Sequence, residues 1–372
     1  MQLTTTKEAL AAPLAIVSGA ADAKASVPML GTVLLKATSG RLSMLCSDSA
    51  VLARALTDCE VKADGELAVD VRRLHDLVRA VPDSQSVALS VEDNNTLLVK
   101  SGRSRFRLPT HPAADYPRMV PAKAERVAVT ILAKRFTEML DQVALSMATG
   151  DTRVYLNGAQ VSLRDGFLYV VSTDGQRLTM ARETIAGSES VGSHSVILPR
   201  KTALLAKRLL GTSGDVKLTI GPADIQFVLP SGTVIIGNSI AGGYPKWEAV
   251  IPKEVTSVPV DTRAFGDALN MIDATLVVTD KKLGRRVDLT FGATVMAVSS
   301  GEDSRCELDA PCPGGGDDKV MALNLDYLRD ALMTIGSASA KLRVGFTGDM
   351  KVLTVRPGDA DYPVAVVMPL RT

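Results

Sequence analysis

Apolar residues recur along this chain at two periods, and the periods alternate in an order that repeats three times. Steps of four and then three residues put side chains on one helical stripe. Such steps link Leu10, Leu14 and Val17, then Phe136, Leu140, Val143 and Met147, then Phe265, Leu269 and Ile272. Thr5 or Thr6 ahead of the first stripe, and Asp261 ahead of the third, can cap the opening turn. A second stripe falls in the middle of each third. It carries Leu74, Leu77, Val78 and Val81, then Ala203, Ala206 and Leu210, then Leu328, Ala331, Leu332 and Ile335. The pattern therefore predicts two amphipathic helices per third.

Between the helices the period falls to two. "RLSMLCSD" (Arg41–Asp48), "FLYVVSTD" (Phe167–Asp174) and "VDLTFGATVMAVSS" (Val287–Ser300) alternate or carry β-branched residues, as strands do. Hairpin signals close each third, in "NTLLVKSGRSRFRL" (Asn95–Leu108), "DIQFVLPSGTVIIGN" (Asp224–Asn238) and "MKVLTVRPGDADYPVAVVM" (Met350–Met368). Strand, helix, several strands, helix, several strands reads as α+β with mostly antiparallel pairing, not as a parallel α/β sheet. A repeated phrase points the same way. Tyr-Pro followed by a second proline stands at Tyr116, Tyr244 and Tyr362, and the first-helix landmarks Leu10, Phe136 and Phe265 keep similar steps.

Composition narrows the functional classes. A chain of 372 residues with 46% hydrophobic and 22% charged residues has enough apolar surface for two or three cored domains. A net charge of +1 excludes a uniformly basic protein but allows a segregated basic face. "MQLTTTKEAL" has no apolar signal core, and no stretch approaches the length of a membrane span. Cys46, Cys59, Cys306 and Cys312 are dispersed, which predicts reduced thiols and a cytoplasmic protein. Phosphate-loop and H-E-x-x-H motifs are missing. His75, His111 and His194 sit at no ligand spacing, and "GGGDD" (Gly314–Asp318) reads as a loop. Neither a cofactor nor a catalytic residue is expected.

Several segments are similar to one family. "SGRSRFRLPTHPAADYP" (Ser101–Pro117), "VYLNG" (Val154–Gly158), "STDGQRL" (Ser172–Leu178), "SHSVILPRK" (Ser193–Lys201) and "YPVAVVMPLR" (Tyr362–Arg371) resemble signatures of the bacterial DNA polymerase III beta subunit, the DNA sliding clamp, in family order. Residues 255–320 match poorly, and "CELDAPCPGGGDDK" (Cys306–Lys319) has no counterpart. The resemblance implies three similar clamp-type domains, at 1–123, 124–253 and 254–372, each with two helices packed on antiparallel sheets. It also implies a head-to-tail homodimer forming a ring. The function implied is a processivity factor that encircles duplex DNA without reading sequence. It would tether the polymerase III alpha subunit, the clamp loader and other clamp-motif proteins near the nucleoid.

The resemblance assigns sites as well. A pocket for client peptides, typically a Gln followed by leucine and aromatic residues, is implied at Leu156, Thr173, Gly175, Gln176, Arg177, Leu178, Pro245, Val250, Val366, Val367, Met368, Pro369, Leu370 and Arg371. Asn324, Tyr327, Met350 and Val352 match its rim, and Leu283 matches through a gap. Read as residues alone, "VAVVMPL" is also what a buried edge strand looks like. Lys24, Arg73, Gly150 and Tyr155 match positions near DNA. Arg72, Arg79, Arg200, Lys201, Lys207 and Arg208 join them as cations on the second helices, where solvated helix faces are the ordinary alternative. The dimer seam is implied to set Phe106 and Leu108 against Val277 and Val278, with Arg103, Arg105 and Arg107 meeting Glu302 and Asp303. Two rival readings stay open at this point: a clamp-like protein that binds client peptides without being loaded on DNA, and an unrelated three-unit binding or hydrolytic protein.

Overall fold

The computed structural model describes residues 1–22, 27–83, 85–92, 95–117, 125–211, 213–276, 285–313, 318–337 and 339–370. The first repeat contains β1 (Gln2–Thr6), α1 (Lys7–Ser18), β2 (Thr32–Thr38), β3 (Arg41–Ser47), β4 (Val51–Asp58), β5 (Glu60–Ala63), β6 (Gly65–Asp70), α2 (Val71–Ala80), β7 (Ser86–Glu92), β8 (Thr96–Ser101) and β9 (Ser104–His111). The second contains β10 (Val127–Leu132), α3 (Ala133–Ala144), β11 (Gly158–Arg164), β12 (Phe167–Thr173), β13 (Arg177–Thr184), β14 (His194–Pro199), α4 (Arg200–Leu210), β15 (Asp215–Ile220), β16 (Asp224–Val228) and β17 (Val234–Asn238). The third contains β18 (Thr256–Asp261), α5 (Thr262–Thr275), β19 (Arg286–Phe291), β20 (Met296–Ser300), β21 (Ser304–Leu308), β22 (Lys319–Asn324), α6 (Leu325–Gly336), β23 (Lys341–Phe346), β24 (Leu353–Pro357) and β25 (Val364–Val367).

Each repeat folds its strands in two antiparallel groups of the same order. One group runs β4-β3-β2-β6, β13-β12-β11-β14 or β21-β20-β19-β22. The other runs β1-β7-β8-β9, β10-β15-β16-β17 or β18-β23-β24-β25. The predicted helical stripes are the buried faces. Leu10, Phe136 and Phe265 are all 0% exposed. Thr6, not Thr5, caps α1 by accepting from the Ala9 amide, and Asp261 caps α5 by accepting from that of Ala264.

The chain forms two compact units, residues 1–137 with 204–239, and residues 138–203 with 240–372. In the first, β17 is hydrogen-bonded to β4, so the groups of the first repeat and the second group of the middle repeat make one sheet. The Phe136 and Phe227 rings pack there with centroids 5.7 Å apart. In the second unit, β25 is hydrogen-bonded to β13, and the remaining four-stranded sheet β21-β20-β19-β22 belongs to the third repeat. Phe291 and Phe346 stack in that repeat's core at 4.3 Å.

The Tyr-Pro phrase is corrected in one respect. The Tyr116 hydroxyl accepts from the Ser47 amide at the end of β3 (2.9 Å) and faces the Thr32 carbonyl at the start of β2 (3.4 Å). The Tyr244 hydroxyl does the same with the Thr173 amide (3.1 Å) and the Gly158 carbonyl (3.4 Å), at the matching ends of β12 and β11. Burial pushes both phenols well above the ordinary tyrosine range, so they remain protonated. Tyr362 is no third copy. It precedes β25 instead of following it, and the Arg182 guanidinium lies 3.9 Å from its ring centre.

Candidate functional site

A cavity of about 250 Å³ opens in the second unit where β13 and β25 run side by side. Leu178 and Val366, opposed across that pair, form the floor with Leu156. Met368 closes one wall, and its amide donates to the Gln176 carbonyl at 2.9 Å. Pro245, Trp247 and Val250 form another wall, while Tyr155, Thr173, Gly175, Arg153 and Arg177 complete the lining. The Trp247 indole donates to the Gln160 side chain at 2.8 Å, and its ring packs on Tyr169 at 5.7 Å.

The polar rim is held rigid by its own hydrogen bonds. The Asp174 carboxylate accepts from the amides of Gln176 (2.9 Å) and Arg177 (3.0 Å), and the Thr173 hydroxyl donates to the Arg177 carbonyl at 2.6 Å. Gly175 takes φ +93°, and a Cβ there would stand 3.0 Å from the Arg153 guanidinium, so glycine suits the position on both counts. Arg153 is clasped by Asp151 at 3.0 and 2.8 Å and donates to the Asp174 carbonyl at 3.0 Å. The Arg153 hydrogen bonds hold the Asp151 carboxyl down at about 2. A depressed carboxyl stabilises the clasp above its ordinary range, and that contribution fades only as pH falls toward 2. Arg177 is paired with Asp174 and Asp330, donates to the Leu145 carbonyl at 2.6 Å, and lies over the Tyr327 ring at 4.6 Å.

The structure gathers Leu156, Thr173, Gly175, Arg177, Leu178, Pro245, Val250, Val366 and Met368 around the cavity. Other residues expected there have different tasks. Asn324 caps α6, accepting from the amides of Asp326 and Tyr327. Tyr327 supports Arg177 from beneath. Val367 and Met350 pack on the third repeat's core, because alternation along β25 turns Val367 away from Val366. Val352 is half-buried against the cluster of Val171, Leu178, Met180, Trp247, Val364 and Val366, on which the cavity floor rests. Gln176 meets Met368 through its backbone, and beyond Pro369 the Leu370 amide is fastened to the Ala322 carbonyl at 2.8 Å. Leu283 and Arg371 lie outside the described residues. Arg153 and Trp247 escaped the sequence reading. The one tryptophan, three residues after Tyr244, was the available signal.

Among the DNA-facing candidates, Arg72, Arg73 and Arg79 stand exposed on α2, opposite the buried Val71, Leu74 and Val78. Gly150 is exposed at φ +70° with open space around it. Arg200 is otherwise engaged, donating to the carbonyls of Ala144 (2.7 Å) and Met147 (3.2 Å). Tyr155 lines the cavity. Lys201 and Arg208 are exposed, Lys207 is half-buried, and the Arg208 guanidinium lies against Gly19. In the third repeat, Arg329 and Arg285 both pair with Asp273. Lys24 lies outside the described residues.

For the expected seam, residues 104–109 of β9 pair with β8 on one side, and β6 meets β9 only at Thr110 and His111. Phe106 is 42% exposed, beside a cavity of about 210 Å³ bordered by Leu77, Val81 and Arg103. Leu108 is half-buried, Arg105 is exposed, and Arg107 pairs with Glu92 at 2.8 Å. Glu302 and Asp303 are exposed in the turn before β21, an edge of its sheet. Val277 and Val278 lie outside the described residues. Among the described residues no cluster of His, Cys, Asp or Glu is placed to hold a metal, and no helix is long and apolar enough to cross a membrane.

Three domain models match the chain in succession. They are the N-terminal domain of the DNA polymerase III beta subunit at residues 1–120, its central domain at 130–246 and its C-terminal domain at 248–371. The beta sliding clamps of Pseudomonas aeruginosa and Proteus mirabilis are each 30% identical to it, over 100% of both chains. Among solved structures, a Pseudomonas aeruginosa DnaN sliding clamp bound to griselimycin has a TM-score of 0.91 at 29% identity. The Caulobacter crescentus pol III beta structure has 0.89 at 26%. Each is covered in full, as is this chain.

Proposed function

The chain belongs to the DNA polymerase III beta subunit family of DNA sliding clamps, and we propose that two copies close head to tail around duplex DNA and hold client proteins through the cavity beside Met368. The observation that carries this reading is the full-length match to three domain models in order. We place the domains at 1–123, 124–253 and 254–372. The protein acts in the cytoplasm as a non-catalytic accessory of the polymerase.

Sliding forbids a firm grip. Base-edge hydrogen bonds would stop the ring at particular sequences, so contact falls to phosphates and long cationic side chains. Arg72, Arg73 and Arg79 on α2 suit that task. Exposed ion contacts of this kind are worth only about 0.2–1 kcal/mol each, and salt weakens them further. Residence on DNA then comes from enclosure: the duplex leaves only when a seam opens or an end is reached.

The cavity suits a short linear peptide. Its aliphatic and aromatic walls supply apolar area, and Met368 adapts to differing side chains. The clasped Arg153 and Arg177 keep the rim in shape before the peptide arrives, which lowers the ordering cost of binding. The polymerase III alpha subunit, the clamp loader and other proteins with a clamp motif are the clients this reading names. The test is primer extension on a long primed circle, with a clamp loader and replicative polymerase. Adding the protein is expected to let one polymerase copy the circle in a single binding event. Products no longer than those of polymerase alone would refute the reading.

A further inference from the structure

Two walls of the cavity beside Met368 are fixed in different ways. Val366 is held by main-chain pairing on both sides, to Leu178 of β13 and to Thr354 of β24. Pro245, Trp247 and Val250 stand in a segment outside every strand. Among the described residues, the main-chain hydrogen bonds of 245–251 stay within that segment. The Trp247 amide donates to the Pro245 carbonyl at 2.8 Å and the Ala249 amide to that of Lys246 at 3.3 Å. The amides of Val250 and Ile251 both donate to the Trp247 carbonyl, at 3.0 and 3.4 Å. A loop closed on itself in this way takes its place over the floor from its side chains and from the Tyr244 anchor at its start.

Two tethers reach the loop from β11. Alternation puts Gln160, Ser162 and Arg164 on one face of that strand, and Tyr169 of β12 is paired with Ser162. Gln160 accepts from the Trp247 indole at 2.8 Å. Arg164 donates to the Glu248 carboxylate at 2.6 Å, and its guanidinium lies 4.8 Å from the centre of the Tyr169 ring and 5.1 Å from that of Trp247. Arg164 thus joins an acid of the loop, the indole that walls the cavity and a ring fixed to the sheet. Its side chain is 31% exposed and that of Glu248 44%, so the ion pair alone is screened and weak. The stacked guanidinium is the stronger part, because a planar cation against aromatic faces gains attraction as water is shed. Neither Arg164 nor Glu248 lines the cavity.

We propose that Arg164 is a positioning residue for client binding: it keeps the 245–250 loop in its peptide-ready place without touching the peptide. The proposal rests on the reading of this cavity as the client site and adds a residue outside it that governs its affinity. With the tether cut, the loop spends only a fraction of its time in place over the floor. A peptide then meets a competent cavity in proportion to that fraction. The association rate falls by the same factor, whereas the dissociation rate, set by contacts with the seated peptide, stays. A lining residue such as Val250 behaves in the opposite way, since losing a contact speeds dissociation.

Stopped-flow mixing of the full-length protein with a fluorescein-labelled pentapeptide, Gln-Leu-Ala-Leu-Phe, tests this. R164A is expected to lower the association rate about tenfold while changing the dissociation rate less than about twofold. Tenfold is about 1.4 kcal/mol, which a partly desolvated cation–π contact supplies. R164K keeps the charge but not the planar face, and carries the same test in a gentler form, with a fall of about threefold. R182A is the control. It removes a guanidinium of the same sheet that is stacked on Phe167 (4.4 Å) and Tyr362 (3.9 Å) instead of on Trp247, and should leave both rates within about twofold. Trp247 is the chain's one tryptophan, so its emission reports the loop directly: it should move to longer wavelength in R164A and stay in place in R182A. An unchanged association rate in R164A and R164K, a loss confined to dissociation, or an equal loss in R182A overturns the positioning role and leaves the cavity as the client site. No binding of the pentapeptide by the unsubstituted protein overturns the reading of the cavity and this role with it.

Discussion

Removing residues 368–372 is expected to weaken binding of a clamp-motif peptide by at least about 100-fold while the protein remains dimeric. Met368 is a wall of the cavity, and burying a methionine side chain is worth about 1.5–3 kcal/mol. Each 1.4 kcal/mol is a factor of about ten in affinity. The truncation also deletes the amides that fasten the tail to Gln176 and Ala322, so the remaining wall loses its preorganisation. No removed residue belongs to β9 or β21, which is why the dimer should persist. Fluorescence anisotropy with a labelled peptide reads the first effect, and light scattering the second. V250D, at a cavity residue outside every strand and 36% exposed, should give a similar loss without disturbing a sheet. Unchanged peptide affinity in both variants would remove the cavity from the account.

F106D is expected to convert the dimer to single chains of 39.3 kDa at micromolar concentration. Phe106 is exposed on an open edge strand and lies beside a cavity, an arrangement that suits a side chain buried by a second copy. Losing that burial costs about 2–3 kcal/mol per seam, and an uncompensated buried carboxylate costs several more. Each ring has two such seams, so dissociation should become easier by at least about a thousandfold. Light scattering across a dilution series measures it, and an unchanged mass would place the seam elsewhere. F106A should give a smaller shift in the same direction, which separates loss of contact from the added charge.

The helical stripes were legible because burial follows period: Leu10, Phe136 and Phe265 announce themselves by spacing and are fully buried. The caps of α1 and α5 were readable for a related reason, since they depend on residues adjacent in sequence. The third Tyr-Pro misled because the same dipeptide serves different ends. Tyr116 and Tyr244 tie two strand ends together, whereas Tyr362 lies under Arg182 before the last strand. The sequence held a warning. The helix landmarks step by 126 and 129 residues, while the tyrosines step by 128 and then 118.

The candidate site was half legible. The apolar tail and "TDGQRL" were visible as motifs, and β13 and β25 bring them together. Trp247 and Arg153 were not, because their part depends on which way loops fold back over the floor. Cations were hardest to read. Arg200 and Arg73 look alike in a helix, yet one satisfies the carbonyls of Ala144 and Met147 while the other is exposed on α2. A guanidinium's destination is a tertiary fact that local spacing does not encode.

Enclosure of DNA is tested most directly by changing the topology of the template and nothing else. The protein is loaded on a nicked circle, freed of unbound chains by gel filtration at high salt, and the circle is then cut once by a restriction enzyme. Retention on the intact circle and prompt release from the cut one is the predicted result. Equal retention before and after cutting, or no retention on the circle at all, would contradict it.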